Sequence, residues 1–216
     1  IVTCPPNLST KEAMIIGTAG LTAGLSINSI NQKLQIKDLD ILVTGASGGV
    51  GSLAVTILSS LGANVTAITG KNTSHDFLKY LGAANIISRR NFLENTKSPL
   101  NKSLYDAAID VAGGDILSSI LTKMRYKGIV IACGNVSNPK FKTTVFPFIL
   151  RGNSLIGIDS AEAALNEKKT VWVNFSNKWK IKNLKKLCKI VTLDNLLPEI
   201  NKILVGKQKG RVIVKL

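Results

Sequence analysis

The chain has 216 residues, 45% of them hydrophobic and 19% charged, a globular profile that excludes a disordered chain, a coiled coil and a collagen-like repeat. Its net charge of +15, from 28 basic and 13 acidic residues, brings nucleic acid, membrane surfaces and polyphosphate ligands into consideration. Lysine outnumbers arginine 23 to 5 and only 5% of residues are aromatic, whereas nucleic-acid surfaces mix arginine with aromatics, so no nucleic-acid partner is expected.

Residues 4–9 read as an extended, proline-stiffened lead-in. Ser9 or Thr10 can cap a short helix with Glu12 in its first turn. Gly17 interrupts it, and residues 18–33 read as a second, buried helix. After Asp40 comes an apolar, β-rich run at 41–45. Residues 52–61 read as a helix ended by Gly62, 64–70 as a strand, 74–81 as a helix stopped by Gly82, and 85–88 as a short strand. A strand at 106–111 ends at Gly113-Gly114. It is followed by a helix at 115–124, a strand at 128–133 ending at Gly134, a helical turn at 146–150 and a strand at 155–158. Strands alternating with helices at this spacing, apolar on both faces, imply βαβ units. The expected fold is α/β: a Rossmann-like doubly wound parallel sheet with helices on both faces.

The last third differs. Residues 168–189 hold eight lysines and no acid. A helix over 162–179 shows this charge to solvent, 196–205 reads as a final helix and 211–216 as a final strand. The organisation expected is a lead-in at 1–36, a Rossmann-like domain at 37–160 and C-terminal helices with a strand at 161–216.

Other classes drop out on specific residues. The uncharged stretches 13–32 and 41–70 are broken by hydroxyls, asparagines and glycines, so neither reads as a bilayer span and no membrane partner is expected. Cys4, Cys133 and Cys188 are widely spaced and His75 is the only histidine. A zinc site needs three or four such ligands close together, so no metal is expected. The absence of a disulfide framework fits a reducing, cytoplasmic compartment. The chain opens without a signal sequence or an initiator methionine and reads as a piece of a longer protein.

The most informative stretch is Val43-Thr44-Gly45-Ala46-Ser47-Gly48-Gly49-Val50-Gly51. Its G-x-x-G-x-x-G pattern joins an apolar strand to a helix, the setting that a dinucleotide pyrophosphate requires. Gly45 allows the tight turn, Gly48 and Gly49 keep side chains away from the phosphate, and Gly51 lets helix and strand pack closely. NAD enzymes place an Asp or Glu at the end of the next strand to bind the ribose hydroxyls. Here that strand ends Ile68-Thr69-Gly70-Lys71. Without a carboxylate, Thr69 can hydrogen-bond a 2′-phosphate and Lys71 can neutralise it. Arg89, just past the third strand, can reach the same side. The expected cofactor is therefore NADP(H).

These residues also carry a family resemblance. Gly17-Thr18-Ala19-Gly20-Leu21-Thr22-Ala23 and the glycine turn resemble the medium-chain dehydrogenase/reductase superfamily. Three further stretches narrow it: 143–152, Gly157-Ile158-Asp159-Ser160 and 210–216. Together they are similar to the zinc-independent quinone-oxidoreductase branch, in its acryloyl-CoA reductase group. The resemblance implies a GroES-like substrate domain before this chain, to which the final strand returns, and a homodimer paired through the edge strand 155–158. It implies hydride transfer from NADPH to the conjugated double bond of an enone or enoyl thioester, with acryloyl-CoA giving propionyl-CoA. Alternatives are a quinone reductase and a non-catalytic NADPH-binding domain. Carried over by position, the phosphate loop falls on Ser47, Gly48, Gly49 and Val50. The 2′-phosphate clamp falls on Thr69, Gly70, Lys71 and Arg89, and further cofactor contacts on Asn135, Ile149 and Ser160. No residue stands out as a catalytic acid: His75 reads as a surface cap, and Tyr80, Tyr105 and Tyr126 as packing residues.

Overall fold

In a computed structural model of the chain, residues 2–94, 98–179, 181 and 184–216 are described. Part of the basic stretch 168–189, at residues 180, 182 and 183, lies outside them.

The chain opens with α1 (Thr10–Asn31). Ser9 and Glu12 form a reciprocal cap: the Ser9 hydroxyl accepts from the Glu12 amide at 3.2 Å, and the Glu12 carboxylate accepts from the Ser9 amide at 2.9 Å. At Gly17 (φ 50°, ψ −157°) the backbone leaves helical geometry. The expected interruption is therefore a kink in one long helix. Then follow β1 (Asp40–Val43), α2 (Gly49–Ser60), β2 (Asn64–Thr69), α3 (His75–Tyr80), β3 (Asn85–Ser88) and α4 (Arg89–Leu93). Next come β4 (Tyr105–Asp110), α5 (Gly114–Thr122), β5 (Met124–Ala132), α6 (Phe146–Arg151), β6 (Ser154–Gly157) and α7 (Leu165–Ser176). The last elements are β7 (Cys188–Thr192), α8 (Leu196–Leu204) and β8 (Arg211–Lys215).

Six strands form one parallel sheet in the order β3-β2-β1-β4-β5-β6, the doubly wound arrangement read from the sequence. Side chains alternate between its faces. On β1, Ile41 and Val43 join the core layer that includes α1, α2 and α7, while Leu42 points into the layer with α4 and α5. All three are fully buried, and each such side chain contributes about 1.5–3 kcal/mol. By length and composition α1 could cross a membrane, but 61% of its apolar window is buried inside this fold. Residues of the lead-in and of the C-terminal third share that core layer with the sheet, Ile15, Phe175 and Leu187 among them.

Several elements depart from the sequence reading. α2 begins at Gly49 rather than at residue 52, because Gly48 is extended (φ −84°, ψ −174°) and the helix starts directly after it. Glycine is a poor helix former, and here tertiary packing overrides its propensity. The five-residue α4 is new. So is β7, which begins at the end of the lysine-rich stretch and pairs in parallel with β8 as a separate two-stranded sheet. α7 covers only part of the expected 162–179. The Asp159 carboxylate accepts from the Ala161 and Glu162 amides at 2.9 and 3.0 Å and holds the chain in a turn before the helix. Tyr105 is buried as expected, whereas Tyr126 is 71% exposed. The remaining boundaries move by four residues at most.

Candidate functional site

β2 and β3 extend to one side of β1, and β4, β5 and β6 to the other. Connections leaving the C-terminal ends of β1 and β4 therefore part to opposite faces, and a crevice opens between them. The glycine turn sits at this point. Gly45 has φ 55°, a left-handed conformation that side chains disfavour. A Cβ on Gly51 would lie 2.7 Å from the Ala46 Cα and closer still to the Gly45 carbonyl oxygen, so only glycine lets α2 pack on its own turn. Gly48 caps α2 with no side-chain bond, and the first turn carries no acid. The leading amides thus keep their hydrogen-bonding capacity for a ligand at the positive end of the helix dipole.

A positive charge from the far end of the chain meets this helix start. The Arg211 guanidinium lies 3.0 Å from where a Cβ on Gly49 would sit, and its Nε donates to the Ile15 carbonyl at 3.0 Å. Among the described residues no carboxylate pairs with it. Burial pushes its pKa down. A half-buried, unneutralised cation beside a helix N-terminus is an electrostatic trap for an anion.

The end of β2 assembles a second polar cluster. The Ser47 and Thr69 hydroxyls are 3.3 Å apart, and the Lys71 amide donates to Thr69 Oγ1 at 3.1 Å. The Arg89 guanidinium lies 3.1 Å from where a Cβ on Gly70 would sit. Residues 208–210 close over this cluster. The Lys71 ammonium donates to the Gln208 carbonyl, the Gly210 amide donates to the Ser47 carbonyl at 2.9 Å, and Lys209 Nζ donates to the Thr73 carbonyl at 2.5 Å. Burial first, and the charge of Lys209 second, push the Lys71 pKa down. None of these residues is acidic.

The other sequence-derived positions divide. Val50, the second residue of α2, packs on the core, so it offers the site its backbone alone. Asn135 follows β5 and is exposed; its Cα lies 3.4 Å from where a Cβ on Gly113 would sit. Ser160 follows β6, where its hydroxyl bonds to Thr22 Oγ1 at 2.9 Å. That bond joins the two motifs at 17–23 and 157–160. Ile149 stands apart on α6, 67% exposed and outside both core layers. His75 opens α3 with its Nε2 buried and, among the described residues, without a hydrogen-bond partner, not as a surface cap.

Sequence reasoning missed the tie between the two strands of the crevice. Thr44 Oγ1 donates to the Asp110 carboxylate at 2.5 Å and accepts from the Val111 amide at 3.0 Å. Asp110 also accepts from the Ala112 and Gly113 amides at 3.2 and 2.8 Å. Burial pushes its pKa up, against the pull of these three bonds. The carboxylate therefore holds both turns in register at the head of the crevice. Its one legible signal is its place just before Gly113-Gly114. Nearby, burial pushes the Cys133 thiol up to about 11, which keeps it protonated and a poor nucleophile at neutral pH.

The zinc-binding dehydrogenase family matches residues 49–176. The putative quinone oxidoreductase YhfP of Bacillus subtilis is 41% identical over 218 residues, 100% of this chain and 66% of that protein. Its structure, solved with NAD bound, superposes with a TM-score of 0.93, covering 99% of this chain and 65% of that one. The probable acrylyl-CoA reductase AcuI of Escherichia coli is 42% identical over 173 residues, 80% of this chain and 53% of that protein. The yhdH oxidoreductase of Salmonella enterica, solved with NADP, has a TM-score of 0.94 at 37% identity, covering 99% of this chain and 66% of that one. The chain thus spans about half to two thirds of the length of these relatives. The family's name refers to zinc, but the donor set here does not fit a zinc site. Among the described residues no three His, Cys, Asp or Glu side chains gather to hold a metal. The fold, the glycine turn at its switch point and the match over residues 49–176 make this chain a member of the zinc-binding dehydrogenase family, within the medium-chain dehydrogenase/reductase superfamily.

Proposed function

We propose that the chain is the cofactor-binding part of an NADPH-dependent oxidoreductase that reduces the conjugated double bond of an enone or enoyl thioester, acryloyl-CoA foremost. The observation that carries this reading is the acid-free cluster of Ser47, Thr69, Lys71 and Arg89 beside the glycine turn. The likeness to a protein named acrylyl-CoA reductase supplies the substrate class. In this reading the first-turn amides of α2 and the Arg211 guanidinium hold the pyrophosphate. Thr69, Lys71 and Arg89 hold the 2′-phosphate, with Lys71 exchanging the Gln208 carbonyl for it. Asn135 and Ser160, at the ends of β5 and β6, lie on the nicotinamide side, and Ile149 belongs to the same cofactor set. Bound NADPH supplies the hydride. The chain's own residues fix the orientation of its phosphates, and hence of the ring.

Two measurements test this reading. The intact protein that contains this chain should oxidise NADPH in stopped flow on mixing with acryloyl-CoA, and absence of turnover with any enone would sink the enzymatic reading. Turnover with quinones alone would favour the second reading, which the likeness to YhfP supports. Calorimetry should show tighter binding of NADPH than of NADH. Lys71→Ala should weaken NADPH by about ten-fold, the size of a lost charge-assisted contact, with little change for NADH. Equal affinities in the wild type would remove the 2′-phosphate site. The NAD-bound structure of YhfP makes this the decisive comparison.

A cytoplasmic homodimer completes the proposal. Among the described residues β6 pairs with β5 alone, and an open edge of this kind is commonly covered by pairing. Sedimentation of the intact protein at the monomer mass would contradict it.

A further inference from the structure

Outside the cofactor site the core holds a buried lysine. Lys123 ends α5 and is 8% exposed. Its ammonium donates to the Phe92 carbonyl at 2.6 Å and to Ser119 Oγ at 3.0 Å. It also stands 3.9 Å above the centre of the Phe92 ring. Among the described residues no carboxylate pairs with it. Burying an ammonium without a counter-charge is costly, so the contacts it makes need a purpose.

Ser119 lies on α5 itself, and the other two contacts, to the carbonyl and the ring of Phe92, bear on α4, which is five residues long. A helix of little more than one turn has almost no stability of its own, since nucleation consumes what its few bonds return. Its position must come from tethers. Ser88 supplies one at the N-terminus, accepting from the Asn91 amide at 3.2 Å. Phe92 supplies a second, buried at 4% exposure in the layer with α5. Lys123 supplies the third, placing a positive charge on a carbonyl of the last turn, where helix carbonyls lack partners and the dipole is negative. The first residue of α4 is Arg89, whose guanidinium lies against Gly70.

We infer that Lys123 is a positioning residue for cofactor selectivity: from the opposite end of α4 it holds that helix, and so Arg89, in reach of the 2′-phosphate. This rests on the proposed 2′-phosphate site. It extends that site to a residue that touches no part of the cofactor. The chain reads the phosphate through a one-turn lever clamped at its far end.

The test is a double-mutant cycle in the intact protein that contains this chain, read by calorimetry with NADPH and NADH as probes. Lys123→Met should weaken NADPH by about five-fold, a typical single-contact effect, and leave NADH within about two-fold. In an Arg89→Ala background the same change should add nothing, because the lever then has nothing to carry. Lys123→Arg, which keeps a cationic donor, should restore most of the preference. Equal weakening of both cofactors, an unchanged NADPH preference, or full additivity with Arg89→Ala would each overturn the role. Should Lys123→Met fail to fold, Ser119→Ala removes one anchor of the ammonium without emptying the site. It should shift the same ratio in the same direction, and an unmoved ratio overturns the inference. A wild-type chain with no NADPH preference would instead overturn the phosphate site itself, so the two failures are distinguishable.

Discussion

Gly51→Ala is expected to lower the midpoint of thermal unfolding by about 6–12 °C, the response of a chain of this size to about 3 kcal/mol. The added methyl would sit 2.7 Å from the Ala46 Cα and nearer still to the Gly45 carbonyl. Both neighbours are backbone, so no rotamer change relieves the overlap; the turn or the helix must move. The shift would disturb the amides that lead α2, so NADPH affinity should fall with stability. A matched control is Gly157→Ala, where nothing lies within 4 Å of an added Cβ and the midpoint should hold. Circular dichroism melts of the two variants check the prediction; a Gly51→Ala chain melting with the wild type would contradict the close packing.

The second large effect belongs to Asp110→Ala. The substitution removes the acceptor of the Thr44 hydroxyl and of the Ala112 and Gly113 amides, all at the buried head of the crevice. Leaving such donors unmatched costs on the order of 3 kcal/mol or more. Urea denaturation should show this as a lower midpoint with the slope retained. Asp110→Asn separates charge from shape through pH. Burial raises the folded-state pKa of this carboxyl, so the folded chain holds the proton to higher pH than the unfolded chain does. Acidification through that window binds more protons to the folded state and favours it; rising pH removes this contribution until the folded carboxyl has ionised. The wild type should therefore carry, over that window, a component of stability that declines with pH and is missing in the Asn variant. Parallel stability profiles for the two chains would refute the assignment.

What the sequence disclosed, and what it concealed, follows from the range of each interaction. The glycine turn was legible because every constraint on it is local: a positive φ at Gly45 and a close approach at Gly51 arise within a few residues. The six sheet strands were legible because burial on both faces leaves an apolar run. Arg211 was not assigned to the site, because its partner Gly49 lies 162 residues earlier (211 − 49) and no spacing rule spans that distance. Asp110 and Thr44 are separated by 66 residues, and neither announces its partner. α4 escaped because five residues hold too little periodicity to register. β7 escaped because its neighbouring lysines read as a solvated surface. Only its pairing with β8 makes Cys188–Thr192 a strand.

The short segment from Gln208 to Arg211 touches Lys71, Thr73, Ser47 and Gly49. During synthesis the sheet and its glycine turn can form well before that segment emerges, because domains fold from the N-terminus as they appear. At that stage the turn already has its shape but not its cation, and Lys71 has no carbonyl to rest on. Cofactor affinity therefore depends on a contact of very high sequence separation, which closes after the sheet and its glycine turn have formed.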